Sequence, residues 1–497
     1  MMNLFSPLMG CLLLALGVLV GLVKPLLLSP LNKIPGPMYS KFTSLVLKWH
    51  EFHANRTTYI HRLHLRYGPV VRLAPNEVAF ASASAVKEIY GSGGSGYDKT
   101  GFYDLFLVYG RRTVFTTLGK EDHAQRKRAI AERYANSNIV RGQSLRGIAE
   151  RAQNFVKLCH HQSRDRRSLD VFIALHSYAF DCVTHHLFHP YGSSSLQSQQ
   201  DEAVMREITL DDSLQNRLVQ YYSPALHKVI GGLLSMFAKP RKTPRADSFV
   251  LEAAAKRDTA PFTLVNRLQD KAGSENKYAD NLDIAAECLV HMIGGIDTAG
   301  DALCFLMWEL SQPRALPVQV RLQQEVRNNP EVAFDQLPFL DAVVLEGLRC
   351  WPAIPMSLPR HVPRGGRAID GFFLPGAAIV SCQAYSVHRL DPKVFPDPDK
   401  FDPDRWLADD GGDAARKRLF FAFSTGARGC VGKHLALAEM KILLRAVYSH
   451  FTTLPDETMS ADMMVMANQL ISTRPLGQKC LLRFEPIAAA TAPHVKR

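Results

Sequence analysis

A glycine-punctuated loop with a single cysteine, residues 423–432 (FSTGARGCVG), constrains this chain more than any other stretch. An amphipathic run follows the loop and is typical of a helix. Amides at a helix N-terminus and a neighbouring arginine favour an anionic sulfur, so the loop is suited to presenting Cys430 as a thiolate. Its glycines permit backbone angles and close approaches that a side chain forbids. The stretch therefore has room for a bulky flat ligand directly on the sulfur.

The spacing Phe423-x-x-Gly426-x-Arg428-x-Cys430-x-Gly432 resembles the haem-binding signature of the cytochrome P450 family at every signature position. The resemblance implies that Cys430 is the proximal thiolate ligand of iron in haem b (iron protoporphyrin IX), and that Arg428 pairs with a haem propionate. A thiolate donates electron density to iron and favours O–O cleavage. The alternative is a buried free cysteine with a packing role only, which leaves the rest of the pattern without a reason.

Composition narrows the class of protein and its partners. The 497 residues are 46% hydrophobic and 21% charged, as in globular proteins. The nine cysteines include no CxxC pair, which argues against zinc sites and disulfide frameworks and fits a reducing compartment. A net charge of +12 is compatible with an anionic membrane or an acidic protein partner. The chain has no nucleic-acid-binding motif, so we expect no nucleic-acid partner.

The N-terminal sequence is typical of a membrane anchor. Residues 1–23 carry no charged side chain, and about 20 apolar residues suffice to cross a bilayer as a helix. We therefore predict an anchor over residues 1–28. A cleaved signal peptide is the alternative, but it requires a positive n-region and a small-residue cleavage site. Lys24 and Lys33 follow the apolar run and place the next domain on the cytoplasmic side.

A proline-rich segment, residues 29–40, follows the anchor and contains the run KIPGP. Prolines stiffen the chain and stop a helix. The segment resembles the hinge of microsomal members of the family. The resemblance implies a catalytic domain over residues 41–497, held at the endoplasmic reticulum membrane by one span.

A long apolar helix is predicted from Asn281 to about Leu310. The adjacent glycines at 294 and 295 favour a kink, and a threonine one turn on is placed to bond to a freed carbonyl. This stretch resembles the family's oxygen-binding motif. The resemblance implies that Asp297 and Thr298 form an acid–alcohol pair that handles dioxygen and delivers protons. A buried carboxylate in an apolar helix is otherwise costly.

A second predicted helix, Glu121–Arg133, carries candidate propionate partners. In the family this helix has an aromatic residue or histidine, followed four residues later by an arginine. His123 fits the first position, but Lys127 stands at the second, so Arg126 or Arg128 is the candidate substitute. The other cations of this helix form a basic face in the family's geometry, although a solvated helix face has the same pattern.

Two further motifs support the loop. Glu346 and Arg349 are three residues apart on a predicted helix and form an ion pair among apolar neighbours. The resemblance adds Arg405 as the third member of a structural triad, and Arg360 as a second propionate partner. A hairpin is predicted from residues 368–373 and 378–382, turned at 375–376.

The resemblance also places pocket walls. Aromatic residues between 102 and 115 and a turn over 463–471 lie, in the family, against the substrate. Ordinary core packing explains the aromatic residues equally well.

The resemblance that these motifs carry implies the cytochrome P450 fold, which is mainly α-helical with small β-sheets, here preceded by a transmembrane helix. The implied reaction inserts one oxygen atom from dioxygen into an apolar small molecule. Electrons come from NADPH through NADPH–cytochrome P450 reductase, docked on a cationic face that comprises Arg126, Lys127, Arg128 and Lys433.

Two stretches near the N-terminus, YGPVVR and PNEV, resemble filamentous-fungal secondary-metabolism members. That resemblance implies a terpenoid, polyketide or alkaloid substrate. Two other functions are open: a thiolate-haem isomerase or dehydratase that needs no dioxygen, and a non-catalytic haem sensor or carrier. The Asp297–Thr298 pair argues against the first, since such an enzyme has less need of a proton relay.

Overall fold

The computed structural model describes residues 7–91, 96–140, 142–210, 213–272, 280–469 and 471–487. Helices dominate and the sheets are small, which confirms the predicted mainly α-helical fold with small β-sheets; the predicted N-terminal transmembrane helix is not confirmed. The longer helices are α1 (Pro7–Leu28), α2 (Leu45–Phe52), α3 (Arg56–Tyr67), α4 (Lys120–Ile130), α5 (Gly142–Arg164), α6 (Val171–Phe188), α7 (Gln199–Thr209), α8 (Leu214–Tyr222), α9 (Pro224–Leu234), α10 (Pro244–Ala255), α11 (Leu264–Ala272), α12 (Asn281–Leu310), α13 (Leu316–Asn328), α14 (Pro338–Cys350) and α15 (Lys433–Tyr448). Shorter α-helices lie at Ala83–Val86, Asn136–Ile139, Ala384–Val387 and Asp413–Leu419.

The strands form four small sheets in the described residues. They are β1 (Val70–Ala74), β2 (Glu77–Phe80), β3 (Asp98–Lys99), β4 (Leu169–Asp170), β5 (Arg360–His361), β6 (Arg367–Ile369), β7 (Phe372–Leu374), β8 (Ile379–Cys382), β9 (Phe451–Pro455), β10 (Met466–Gln469), β11 (Ser472–Pro475) and β12 (Leu481–Pro486). The largest sheet has the order β1-β2-β8-β5-β3, and the others are β4-β12-β9, β10-β11 and β6-β7.

The predicted hairpin was wrong in its pairing. Strand β8 pairs with β2 in parallel and with β5 in antiparallel fashion, whereas β6 pairs with β7. The turn between β6 and β7 is Asp370-Gly371, with φ of 48° and 81°. Two successive positive φ values are those of a type I′ turn, whose twist matches a two-residue hairpin. This Asp-Gly pair, rather than Pro375-Gly376, is therefore the hairpin signal.

Helix α12 runs through the core with the predicted bounds, Asn281–Leu310. The Asp280 side chain caps it by accepting a hydrogen bond from the Asp283 amide. The helix is continuous through Gly294 and Gly295. A Cβ on Gly295 would lie 2.7 Å from Val183 Cγ2 of α6, so this glycine permits close packing of the two helices.

The polypeptide before the core has two parts. Helix α1 exposes large apolar side chains, among them Leu12, Leu14 and Leu19; residues 1–6 of the predicted anchor lie outside the described residues. Segment 29–40 folds as two short 3-10 turns against β1, where the Arg72 amide donates to Pro35 O at 2.8 Å. Among the described residues, only α12 is long and apolar enough to cross a membrane, and 61% of its most apolar stretch is buried inside the protein. Helix α1 holds a shorter apolar stretch, Met9–Gly21.

The Glu346–Arg349–Arg405 cluster lies behind the cysteine loop. The Glu346 carboxylate accepts hydrogen bonds from Arg349 Nε at 2.8 Å and from Arg349 Nη2 at 2.9 Å. It also accepts one from Arg405 Nε at 2.9 Å. The Asp402 amide and Trp406 Nε1 complete the carboxylate's hydrogen bonds. All three charged side chains are buried. The cluster ties α14 to the segment that leads into the cysteine loop.

Candidate active site

The cysteine loop closes on itself ahead of α15. The Cys430 amide donates to Phe423 O at 2.9 Å, across a 3-10 turn at Gly426–Arg428. Gly426 has a φ of 69°, and a Cβ there would lie 2.0 Å from Tyr90 O. Only glycine fits this position, as the signature pattern indicates.

The sulfur of Cys430 faces a cavity and lies at the start of α15. Burial raises the pKa of the Cys430 thiol, while hydrogen bonds from the backbone at Gly432 and Lys433, together with the charge of Lys127, act to lower it. Lys127 Nζ donates to Ala427 O at 2.8 Å and to Gly429 O at 2.9 Å. The cations that act on the sulfur are thus Lys127 of α4 and Lys433 at the start of α15, and not the neighbouring arginine of the motif.

The cavity has a volume of about 710 Å³ and lies between α12 and the cysteine loop. The predicted site residues Asp297, Thr298, Cys430, Arg428, Arg360, His123, Phe423 and Gly432 line it. Gly426 lies below the lining, against Tyr90. One cavity thus brings together side chains from α4, α12, β5 and the cysteine loop.

One end of the cavity is strongly basic. Arg428 donates to Leu118 O at 2.9 Å and to Asp98 Oδ1 at 3.1 Å. Arg360 donates to Tyr103 OH at 2.7 Å. Lys99, which sequence reasoning missed, is buried and donates to Phe115 O at 2.5 Å. A single lysine in a two-residue strand has no spacing pattern, so only the fold reveals its place.

Positive charge accumulates here without matching negative charge. Among Lys99, Lys127, Arg360 and Arg428, only Arg428 has a carboxylate within 4.0 Å in the described chain, and that partner, Asp98, is half exposed. Burial, followed by repulsion from Arg360, Arg428 and Lys127, holds the pKa of Lys99 well below its usual range. Burial and the same cations lower the pKa of His123 to about 3, so its imidazole is neutral. Such a cluster favours a ligand with more than one anionic group.

The structure distinguishes the three cations predicted on α4. Lys127 lines the cavity. Arg126 turns to Glu287, with Nη1 3.8 Å from Oε2, and Arg128 is exposed. Lys127 thus occupies the cavity position for which the sequence offered Arg126 or Arg128 as substitutes.

Asp297 and Thr298 both line the cavity from α12. Thr298 Oγ1 donates to Gly294 O at 2.6 Å, the back-bond that its spacing predicted. Asp297 Oδ1 accepts a hydrogen bond from Thr209 Oγ1 of α7 at 3.1 Å. Asp297 is half-buried because it faces the cavity. One turn further on, the carboxyl of Asp301 is fully buried, as is that of Glu287 earlier in the helix.

The remaining wall is largely apolar. Tyr103, Phe106, Leu107 and Phe115 of the predicted aromatic region line the cavity, while Phe102 packs edge-on against Tyr103 and Phe106. Ile471 lines it from the predicted turn 463–471, of which residue 470 lies outside the described residues.

These features fit a haem group. The sulfur would supply a ligand to the iron, the glycine loop would let a flat ring approach the backbone, and the uncompensated cations would suit its two carboxylates. The cytochrome P450 family model matches residues 35–481, and the chain belongs to the cytochrome P450 family, whose cofactor is haem iron.

Among characterised proteins, the chain is similar to fungal P450 monooxygenases. It is 30% identical to cytochrome P450 monooxygenase stcB of Emericella nidulans, over 83% of this chain and 80% of that protein. It is 27% identical to the monooxygenase tazI of Aspergillus terreus (91% and 94%) and 28% identical to aflV of Aspergillus parasiticus (92% and 92%). The protein is a cytochrome P450 monooxygenase, which confirms the predicted enzyme class.

Proposed function

We propose that this enzyme uses haem b to insert one oxygen atom from dioxygen into an apolar small molecule. The observation that carries the proposal is that the Cys430 sulfur and the Asp297–Thr298 pair line the same, mostly apolar cavity. A thiolate ligand and a proton-delivering pair are the two requirements of that reaction. When bound, the haem supplies the activation of dioxygen.

Apart from Asp297 and Thr298, the residues of the proposed site hold the cofactor. Cys430 provides the ligand sulfur, and Phe423, Gly426 and Gly432 shape the loop beneath the ring. Arg360, Arg428, Lys99 and the neutral His123 hold the two carboxylates of the haem. Lys127 bonds to the loop carbonyls and stabilises the conformation that presents the sulfur.

Protons reach the cavity through α12. The Asp297 carboxyl lies at the cavity wall, and its Oδ1 is fixed by the hydrogen bond from Thr209. Its other oxygen is left to exchange protons. The Thr298 hydroxyl is anchored to Gly294 O and presents its oxygen to the cavity. We assign proton transfer to Asp297 and hydrogen bonding toward dioxygen to Thr298.

Electrons come from NADPH through NADPH–cytochrome P450 reductase. Its acidic surface docks on the predicted cationic face beside the cysteine loop. Because Lys127 and Arg126 have partners inside the protein, the exposed Arg128 and Lys433 contribute most to this docking.

The enzyme is held at the endoplasmic reticulum membrane by residues 1–28, with residues 29–40 as linker and 41–497 as catalytic domain. The exposed apolar side chains of α1 support this proposal. A second apolar surface supports it too: Val229 of α9 is 83% exposed and the following Phe237 is 82% exposed. Lys228 and Lys239 flank these side chains and suit anionic lipid headgroups.

The substrate is a secondary metabolite of the terpenoid, polyketide or alkaloid class, a proposal that the fungal origin of the relatives supports. Metabolite profiling after deletion of the gene identifies it: an intermediate that accumulates and is converted by the purified enzyme is the substrate. Conversion without NADPH would instead indicate an isomerase or dehydratase.

The ligand assignment is tested on purified protein. We expect the reduced, carbon-monoxide-bound protein to show a thiolate-haem spectrum that Cys430→Ser abolishes. We expect NADPH-dependent oxygen consumption when the reductase is added. A normal spectrum without oxygen consumption would support a haem sensor or carrier, and an unaltered spectrum in Cys430→Ser would remove Cys430 from the site.

A further inference from the structure

A buried imidazole–carboxyl pair lies directly behind the proposed acid–alcohol pair. His176 Nε2 of α6 is 3.4 Å from Asp301 Oδ1 of α12, and both side chains are about 1% exposed. His176 Nδ1 is bonded to Phe172 O at 2.6 Å, so the nitrogen that faces Asp301 is fixed. Apart from this contact, His176 Nε2 and Asp301 Oδ1 have no hydrogen-bond partner among the described residues.

Gly300, next to Asp301, leaves the space that this contact requires. A Cβ on Gly300 would lie 2.7 Å from the His176 ring. Glycine inside a helix costs stability, on the order of 0.5–1 kcal/mol relative to alanine. Its presence here, immediately before Asp301, lets the imidazole lie flat against α12 and reach the carboxyl.

The pair connects to the cavity through Asp297. Asp301 is four residues after Asp297, so the two carboxyls are neighbours on one helix face, with about 5–6 Å between Cβ atoms. Asp297 lines the cavity and is bonded to Thr209, whose carbonyl in turn accepts a hydrogen bond from Arg474 of β11. Four ionisable side chains from α6, α12 and β11 thus form one cluster.

The titratable or charged groups beside the pair are Asp297 and Cys304 of α12 and Arg474 of β11, and Cys304 in turn faces Asp170 of β4 and Cys480 ahead of β12. Burial raises the pKa of Asp301 to about 6. Burial lowers the pKa of His176, but the hydrogen bond and charge of Asp301 outweigh it, so that this pKa is raised above 6.5. Both groups therefore bind a proton more tightly than the free side chains do.

We propose that the His176–Asp301 pair stores a proton for Asp297, which makes both of them positioning residues for proton delivery. The proposal rests on the proposed monooxygenase function. The proton leaves Nε2 of His176, whose lone pair remains on nitrogen, and joins Oδ1 of Asp301. It then passes to Asp297 after a rotamer change or across one water molecule, and on to the cavity. Because His176 has no exposed surface, the store refills through Asp297 between turnovers.

The alternative is that the pair only fastens α6 to α12. A fastening role predicts lower stability in variants, with no effect on proton use. A buried ion pair is weak support for stability in itself, so the two explanations need a readout that follows protons.

The readout is the proportion of dioxygen reduced to peroxide rather than to water, which can be measured without substrate. Reduction to peroxide uses one NADPH and one proton per dioxygen, whereas reduction to two waters uses two of each. The NADPH-to-oxygen ratio of the holoenzyme with reductase is measured from pH 6 to 9. We expect a high ratio at low pH that falls as the pH rises through the raised pKa of His176.

The variants shift this profile in specific ways. Asp301→Asn removes the carboxylate, so that burial lowers the pKa of His176 below 6.5. The pH at which the NADPH-to-oxygen ratio falls then moves to the acidic side. In His176→Gln we expect no inflection and peroxide dominating at every pH. Since a positioned proton donor contributes about a hundredfold or more, we expect roughly a tenfold rise in the peroxide-to-water ratio at pH 6.5.

Asp181→Asn is the matched control: this carboxyl is also buried on α6, but Ser193 and Ser195 bind it away from the cavity. It should keep the wild-type profile. An unchanged profile in His176→Gln, or the same shift in Asp181→Asn, would overturn the proposal. If Asp301→Asn does not retain haem, His176→Gln and His176→Asn decide alone. Wild-type protein without a thiolate-haem spectrum would instead refute the proposed function.

Discussion

Replacing Glu346 by glutamine tests whether the buried cluster behind the cysteine loop holds the site together. The carboxylate lies between Arg349 and Arg405, at 2.8–2.9 Å from each, and none of its side-chain surface is exposed. Glutamine preserves the shape but removes the charge, and it points an NH₂ group at arginine or tryptophan donors. Two buried guanidinium groups then share one neutral oxygen.

The expected cost is large because the arginines remain buried. Removing one partner of a buried pair costs about 3–5 kcal/mol. With a urea dependence of about 3 kcal/mol per molar, the midpoint of unfolding falls by roughly 1 M or more. Because the cluster ties α14 to the segment before the loop, we expect the haem absorbance band to be lost at least as early as the tryptophan fluorescence change.

Glu309→Gln provides the control for this measurement. Glu309 is also buried on a core helix, but its partner Arg314, with Nε at 2.9 Å, is 69% exposed. Solvent screens such a pair, so we expect Glu309→Gln to lower the free energy of unfolding by about 1 kcal/mol or less. Equal urea midpoints for the Glu346 and Glu309 variants would refute the view that the cluster is energetically distinct.

Three further outcomes are expected. Thr298→Ala removes the hydroxyl at the cavity wall and should raise peroxide release relative to product, measured per NADPH consumed; unchanged coupling removes Thr298 from the mechanism. Gly426→Ala places a Cβ 2.0 Å from Tyr90 O and should abolish haem incorporation, whereas Gly411→Ala, at a similar positive φ with open space around it, should retain haem. Deleting residues 1–28 should weaken membrane attachment in flotation assays while the carbon-monoxide spectrum persists, and full retention would point to the α9 surface as the main contact.

Features encoded in short spacings were predictable from the sequence. The extent of α12 and the Glu346–Arg349 pair follow from local periodicity, and the structure confirms both. The mainly helical class is confirmed as well. The roles of Cys430, Asp297 and Thr298 follow from the family resemblance, and the structure adds that they line one cavity.

Features that depend on distant segments were not predictable. Lys99 reaches the basic end of the cavity because β3 pairs with β5 beside Arg360, and no local pattern signals that pairing. The His176–Asp301 contact joins residues from two helices and was missed, since each looks like an ordinary member of its own helix. The hairpin was misassigned because two turn signals, Asp-Gly and Pro-Gly, occur in succession, and only the positive φ pair closes a two-residue turn.

The glycines around α12 explain how a helix with a polar cavity face is held in place. Gly295 packs against Val183, Gly300 against His176, and Gly347 of α14 against Leu306, where added Cβ atoms would lie 2.7–2.9 Å away. At each contact a missing side chain permits a backbone-to-side-chain approach that leaves α12 little freedom to shift. The helix presents Asp297 and Thr298 to the cavity, and these three contacts fix its position. The positions of the two catalytic candidates therefore depend on close packing at residues that carry no chemistry themselves.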